Sequence, residues 1–327
     1  SLATEHERRS YLHDKLSAIE RDLWQCAKAD TSIGGHECTV TNLSARVHDL
    51  LNELADTLRT KQRDFLNDET KQALRAASKE SLGYNLSNFL NGDAFRTIFQ
   101  PATERLLKSS TDAVINKVHV AVCTCFQALV DHHMGDGVLA ALTQALVNEF
   151  NDLMDAQVKA VQTHVEIMRD AECNVTHTTN HYYQQTIDKF KEIVSCNNHA
   201  WKSGKNVYCE PNGIHDGEAL EIPHDFMDRV SQSFRNDSND AEAIRTMQIS
   251  LHAYWKVVQK RYADTVGVLL INQLVFGAVK MLKKNNYTLL TDLLASVQED
   301  PKVAQKRKKL NHDLVQLERA MQLIRSI

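Results

Sequence analysis

The chain has 327 residues, 43% hydrophobic and 24% charged, with only 11 Gly, 4 Pro and 6% aromatic residues. This balance excludes a disordered chain. The shortage of Gly, Pro and aromatics argues against a sheet protein, because strands and their turns consume them. A formal net charge of -4 gives no general attraction to nucleic acid or acidic membranes, so such binding would need a local patch. The 7 Cys are scattered and several lie in helical patterns, which fits buried reduced thiols in a cytoplasmic chain better than a disulfide framework. The start, SLATEHERRSYL, is polar and lacks the apolar core of a signal peptide. No apolar run approaches the ~20 residues that span a bilayer. The chain opens without Met inside a helical pattern, and reads as a piece of something longer.

Leu12, Leu16, Ile19 and Leu23 begin a helix that runs to about Ala29, and Asp30 to Thr41 reads as a loop around Gly34 and Gly35. Leu43, Val47, Leu50, Leu54, Leu58 and Phe65 carry a second helical stretch, with Thr41 or Asn42 as N-cap. With no Gly or Pro before Leu82, that helix is expected to continue to about Lys79. Residues 81–93 (SLGYNLSNFLNGD) form a turn, and Asp93 caps the next helix, Ala94 to His133, with Pro101 near its start.

His132 to Asp136 is a tight connection. The segment Val138 to Ser203 then holds no Gly or Pro. Leu142, Leu146, Phe150, Leu153, Val158, Val161, Val165 and Met168 hold one stripe, which resumes at Tyr182, Ile187, Phe190 and Ile193. As one helix of ~55 residues it would reach about 80 Å, which suits an elongated bundle. Cys196 to Asp240 breaks the pattern with Gly204, Pro211, Gly213, Gly217 and Pro223. From Ala241 to Lys284, Ile244, Met247, Leu251, Tyr254, Val258, Tyr262, Val266, Leu269 and Leu274 recur at helical spacing. Trp255, Val257, Leu270 and Ile271 widen that stripe, so the helix is expected to be wrapped on several sides. After Pro301, the residues Leu310, Leu314, Leu317, Met321 and Ile324 form a four-three heptad.

The expected fold is all-α, an elongated antiparallel four-helix bundle of segments 4–80 (interrupted), 94–133, 138–195 and 241–285. An extra C-terminal amphipathic helix is left over. Short connections at 83–92 and 134–137 impose antiparallel neighbours.

Chemical motifs are sparse. Ser203-Gly204-Lys205-Asn206 lacks the first Gly and the hydroxyl of a phosphate-cradling loop, and no GxSxG, HExxH or paired CxxC occurs. His177 and His181 have the spacing of two metal ligands on one helical turn, with Cys173 a turn earlier, but nothing supplies a fourth ligand. They are read as structural, as are Cys123 and Cys125 on their apolar helix. His132 and His133 suit a helix C-terminus. Lys302, Lys306, Arg307, Lys308 and Lys309 read as a solvated face. Lys189, Lys191, Trp201, Lys202, Lys205 and Tyr208 mix charge with aromatics, as a headgroup-contacting segment would. Glu210 to Asp240 is acidic, however, which favours a bland connector equally.

The order of parts says more than any one motif. Ala253-Tyr254-Trp255-Lys256-Val257 followed by Lys260-Arg261-Tyr262, Asp264 and Val266 resembles the GTPase effector domain of the dynamin superfamily, and most of all its Mx-like, fungal-type branch. Glu299-Asp300, Lys306-Arg307, Leu310 and Leu317-Glu318-Arg319-Ala320 resemble the end of that domain. Glu7-Arg8-Arg9 with Leu12 and Ile19 is similar to the start of the dynamin middle domain. Glu172 through Thr179-Asn180-His181-Tyr182-Tyr183 is similar to its close.

This resemblance implies a stalk without its GTPase head. Residues 1–195 would be the middle domain, 196–240 a tip loop, 241–300 the effector helix that completes the stalk, and 301–327 one helix of the head–stalk signalling bundle. It implies self-assembly into dimers and higher oligomers, with GTP and magnesium held by the missing head and no catalytic site, cofactor or metal here. Ser81, Leu82, Gly83, Tyr84 and Asn85 would be the assembly loop, and Pro301 the hinge. Trp201, Lys202, Lys205 and Tyr208 would contact lipid or a target, and Leu310, Leu314, Leu317, Met321 and Ile324 would face the signalling bundle. The implied partners are itself, the GTPase head and membrane lipid, with no nucleic acid. The implied location is cytoplasmic or peripheral on intracellular membranes, and the implied work is membrane remodelling such as mitochondrial fission, or target binding such as to microtubules. The alternatives are a helical membrane scaffold or tether independent of GTPases, and a metal-dependent bundle enzyme with inward carboxylates.

Overall fold

A computed structural model describes residues 5–28, 42–60, 65–81, 92–134, 140–202, 239–285 and 301–325. Among these residues the fold is all-α, with no strand. The helices are α1 (Glu5–Lys28), α2 (Leu43–Thr60), α3 (Asp68–Ser81), α4 (Gly92–Met134), α5 (Ala140–Asn174), α6 (His181–Lys202), α7 (Asn239–Leu270) and α8 (Pro301–Arg325). A π-helical turn, Ile271–Val275, follows α7, and the chain continues as α-helix over residues 276–285.

Two expected continuous helices are broken. The run from residue 41 to Lys79 is interrupted at Phe65-Leu66-Asn67, where α3 restarts with its own cap. The Asn67 Oδ1 accepts from the Thr70 amide at 2.8 Å, and the Asn67 carbonyl accepts from the Lys71 amide. The run 138–195 is likewise broken at 175–180, VTHTTN. There the Thr178 hydroxyl accepts from the Asn180 amide at 3.0 Å, and the Asn180 side-chain oxygen accepts from the Tyr182 amide at 2.9 Å. Short polar side chains thus offer the backbone partners that a continuing helix would otherwise supply. Pro101 is tolerated within α4.

The described residues divide into two compact units. Unit 1 comprises residues 1–42, 123–155 and 278–327. Its core joins Leu12, Leu16, Ile19, Leu23 and Cys26 of α1 to Cys125, Phe126, Leu129, Val130 and Met134 of α4, and to Leu142, Leu146, Phe150 and Met154 of α5. Phe126 and Phe150 stack with ring centroids 3.6 Å apart and planes tilted by 10°. The expectation for His133 is refined, since its Nε2 meets Asp22 Oδ2 at 2.7 Å in a half-buried pair.

Unit 2 comprises residues 43–122 and 156–277. Here α7 packs against α2, α3 and α6. It is wrapped on several sides, with Leu251, Ala253, Tyr254, Trp255, Val257, Val258, Tyr262 and Val266 all buried. Phe95, Phe99, Tyr254 and Trp255 build an aromatic cluster, and Phe65 stacks on Phe99. The Gln248 side-chain amide donates to the carbonyls of Phe65 (3.1 Å) and Asn67 (2.9 Å), satisfying the turn between α2 and α3 from α7.

One expectation needs correction: α4 and the helix spanning 241–285 are both long and apolar enough to cross a bilayer. The reason is that both are core helices, and 50% and 44% of their most apolar windows are buried inside the fold.

Candidate functional site: a clamp between distant motifs

Unit 2 brings the motif stretch 172–183 against the motif stretch 253–266. The last turn of α5 presents Glu172, and α7 presents Arg261 across from it. Arg261 Nε donates to Glu172 Oε1 at 2.8 Å, and its Nη2 donates to Oε2, a two-pronged pair with Glu172 mostly buried. The third prong, Nη1, donates to the His177 carbonyl at 3.3 Å. Glu172 accordingly raises the Arg261 pKa above its ordinary value, against a smaller cost of burial.

Two helical turns before Arg261, the Tyr254 hydroxyl donates to the Val175 carbonyl at 3.2 Å. Burial pushes the Tyr254 phenol up, so it stays a donor across neutral pH. Lys260 lies 4.7 Å from the ring centroid of Tyr182, and Tyr183 meets Tyr254 edge-on. Asn180, Tyr182, Val257, Lys260, Arg261, Asp264 and Thr265 line a cleft at this junction. The linker 175–180 has no regular structure of its own, yet α7 holds it by the carbonyls of Val175 and His177.

Beneath the clamp the core is polar. Tyr262 Oη and Thr111 Oγ1 are 3.0 Å apart, and burial pushes the Tyr262 phenol up to about 12. Cys173 lies 3.7 Å from the Thr103 hydroxyl, and burial raises its thiol. The structure does not join Cys173, His177 and His181 as ligands: His177 lies in the linker and His181 begins α6, so the pair does not share one helical turn. Among the described residues, no cluster of three or more His, Cys, Asp or Glu is placed to hold a metal.

The other candidate residues fall as follows. Ser81 is the last residue of α3, while Leu82, Gly83, Tyr84 and Asn85 lie outside the described residues. Trp201 and Lys202 close α6, while Lys205 and Tyr208 lie outside the described residues. Pro301 is the first residue of α8, where its missing amide costs nothing. On α8, Leu310, Leu314, Leu317 and Met321 are 59%, 56%, 65% and 54% exposed, with Ile324 further along the same helix. Both Glu172 and Arg261 stand in recognised motifs, but nothing in sequence pairs residues so far apart. The capping signals Thr178 and Asn180 could have marked the linker.

These helices define a class of protein before any comparison is made: an all-α scaffold whose most elaborate polar site serves to join helices. Residues 1–192 match the dynamin central region, and residues 239–327 match the dynamin GTPase effector domain. The chain belongs to the dynamin superfamily, of which it carries the stalk regions. No curated protein matches it.

Proposed function

We propose that this chain is the self-assembling stalk of a dynamin-like large GTPase, of the Mx-like kind, which transmits GTP-driven motion from a head to a membrane or a bound target. The observation that supports it is a contrast within the molecule. Central-region and effector-domain helices share one core in unit 2, whereas the four-three stripe of α8 stays open to solvent. An apolar heptad left exposed is a seam awaiting another helix.

In this reading α8 joins the signalling bundle beneath the GTPase head, Pro301 is the hinge, and residues 81–85 are the assembly loop. The head holds GTP and magnesium. Residues Trp201, Lys202, Lys205 and Tyr208 touch lipid or a target at the far loop, and the protein works in the cytoplasm or on the face of an intracellular membrane. Membrane division and target capture are the two forms such work takes.

Sedimentation velocity across a concentration series tests the assembly. Dimers and tetramers are expected to grow with concentration, and a strict monomer at high micromolar concentration would overturn the reading. Liposome flotation of the isolated chain tests the lipid contact. Strong flotation with no self-association would instead favour a membrane scaffold that needs no GTPase.

A further inference from the structure

α8 carries a charge cluster that its own folding does not require. Lys302, Lys306, Arg307, Lys308 and Lys309 all fall between Pro301 and Leu310, with no acidic residue among them. In a chain of net charge -4 this is a strongly local concentration. It also works against the helix that bears it. The amino end of a helix favours anions, yet the first turn of α8 holds Lys302 and no acid. Lys302, Lys306 and Lys309 succeed one another at one-turn spacing, so like charges are neighbours on the helix surface. Lys306, Lys308 and Lys309 are exposed and have no ion-pair partner among the described residues. An arrangement that costs the lone helix stability is explained by an anionic partner.

The apolar stripe follows directly. Leu310, Leu314, Leu317 and Met321 are each more than half exposed, and Val315 beside them is 44% exposed. Their spacing is the anchor pattern of a helix that lays one face into an apolar groove. Along this half of α8 the charges cancel, Asp313 and Glu318 against Arg319 and Arg325. The helix is therefore basic at one end and apolar along the rest. A helix that lies on anionic lipid differs, because its cations run along the whole polar face and aromatic residues anchor it. In α8 the cations cluster at one end, Asp313 and Glu318 border the stripe, and there is no Trp, Tyr or Phe. That polarity fits a protein groove with an acidic rim at one end.

We propose that α8 is the recognition helix for a calcium-loaded EF-hand sensor protein, whose acidic rim takes the lysine cluster and whose apolar groove takes Leu310, Leu314, Leu317 and Met321. Such sensors open a Met-rich groove only when calcium is bound, and the flexible thioethers of that groove adapt to Leu and Met anchors. The lysines steer the encounter and fix which way the helix lies, while the stripe supplies the buried area. The inference stands without a GTPase head. Where a head is present, its helices and the sensor compete for one face, so calcium decides which of them holds α8.

Isothermal titration calorimetry of the whole chain with calmodulin as the probe tests this, once in calcium and once in EGTA. In calcium, one calmodulin is expected to bind per chain with a Kd of about 1 μM or tighter. EGTA is expected to weaken binding at least about 100-fold, because the groove closes. The combined variant Lys306→Glu, Lys308→Glu and Lys309→Glu should bind at least about tenfold more weakly. Its circular dichroism should match the wild type, since Glu and Lys have similar helix propensities and Glu suits the amino-terminal half of a helix. Leu314→Ala keeps the helix and should also weaken binding at least about tenfold. The wild-type titration needs no variant to fold. No binding by the wild type, binding that survives EGTA, or a charge-reversed variant that binds as tightly as the wild type overturns the proposal. Flotation with phosphatidylserine vesicles by a chain that ignores calmodulin assigns the face to lipid and overturns it equally.

Discussion

Arg261 on α7 grips Glu172 in the last turn of α5 with two guanidinium nitrogens and spends a third on the His177 carbonyl just beyond. One side chain therefore fixes a helix end and the linker that follows it. Tyr254, two turns earlier on α7, holds the same linker at Val175. The break between α5 and α6 is thereby a fixed corner.

Replacing Glu172 by Gln is expected to destabilise the fold by about 2 kcal/mol, because a partly buried guanidinium loses its charge partner. Arg261→Lys keeps the charge but cannot make the fork, and is expected to cost about 1 kcal/mol. Urea denaturation of both single variants and the double variant gives the coupling between them, expected to exceed about 1 kcal/mol. Single-variant losses that simply add would mean the pair is ornamental.

His252 supplies a pH dependence with a definite sign. It is buried on α7 with Phe190 edge-on at 5.7 Å, and neither ring nitrogen has a hydrogen-bond partner among the described residues. Burial, helped by the Lys256 charge, lowers its pKa to about 4 from 6.5. The unfolded chain therefore takes up this proton first as pH falls. Stability conferred by the neutral ring is fully present above pH 6.5, declines below it, and is gone beneath about pH 4. The full gap corresponds to about 3 kcal/mol. His252→Leu removes both the titration and the two unpaired nitrogens, so its stability advantage over the wild type should widen between pH 6.5 and 4. Parallel urea curves with a constant offset across that range would contradict the assignment.

Much of the packing could be read from the sequence, because helical periodicity reports burial directly. Leu12, Leu16, Ile19 and Leu23 are all 3% exposed or less, as their spacing requires. The wrapped character of α7 was legible from Trp255 and Val257, which widened its stripe. The breaks at 65–67 and 175–180 were not, since neither contains Gly or Pro. Asn67 and Asn180 cap the starts of new helices, and Thr178 holds the linker between α5 and α6, yet those residue types also occur within helices. The pairing of Glu172 with Arg261 was hidden for another reason: periodicity tells which face of a helix is buried, never which distant residue it meets. The π turn at Ile271–Val275 has no composition signal at all.

That π turn is held by α5. Gln157 Nε2 donates to the Gln273 carbonyl at 3.1 Å, and His164 Nδ1 lies 3.0 Å from Gln273 Oε1. A π turn displaces carbonyls from the α-helical ladder, and Gln157 satisfies one of them. Gln157→Ala is expected to cost about 1 kcal/mol and to speed amide exchange over residues 271–277. Gln144→Ala, which removes an exposed bond to Asn148 at 2.8 Å, should stay within about 0.5 kcal/mol of the wild type. Equal effects from the two variants would show that the Gln157 contact does not hold the turn.

The exposed stripe of α8 separates stability from assembly. Leu314 and Leu317 are more than half exposed, so Leu314→Asp and Leu317→Asp remove little buried area and should change the unfolding free energy by no more than about 0.5 kcal/mol. The same substitutions in a packed core would cost several kcal/mol, because each would bury an unpaired carboxylate. An aspartate in a heptad seam does to a joining helix what it would do to a core. Both variants should therefore abolish binding of this chain to a separately supplied GTPase head carrying its own flanking helices, measured by isothermal titration calorimetry. Undiminished binding, or a loss of more than about 2 kcal/mol in stability, would mean that this face is not a docking seam.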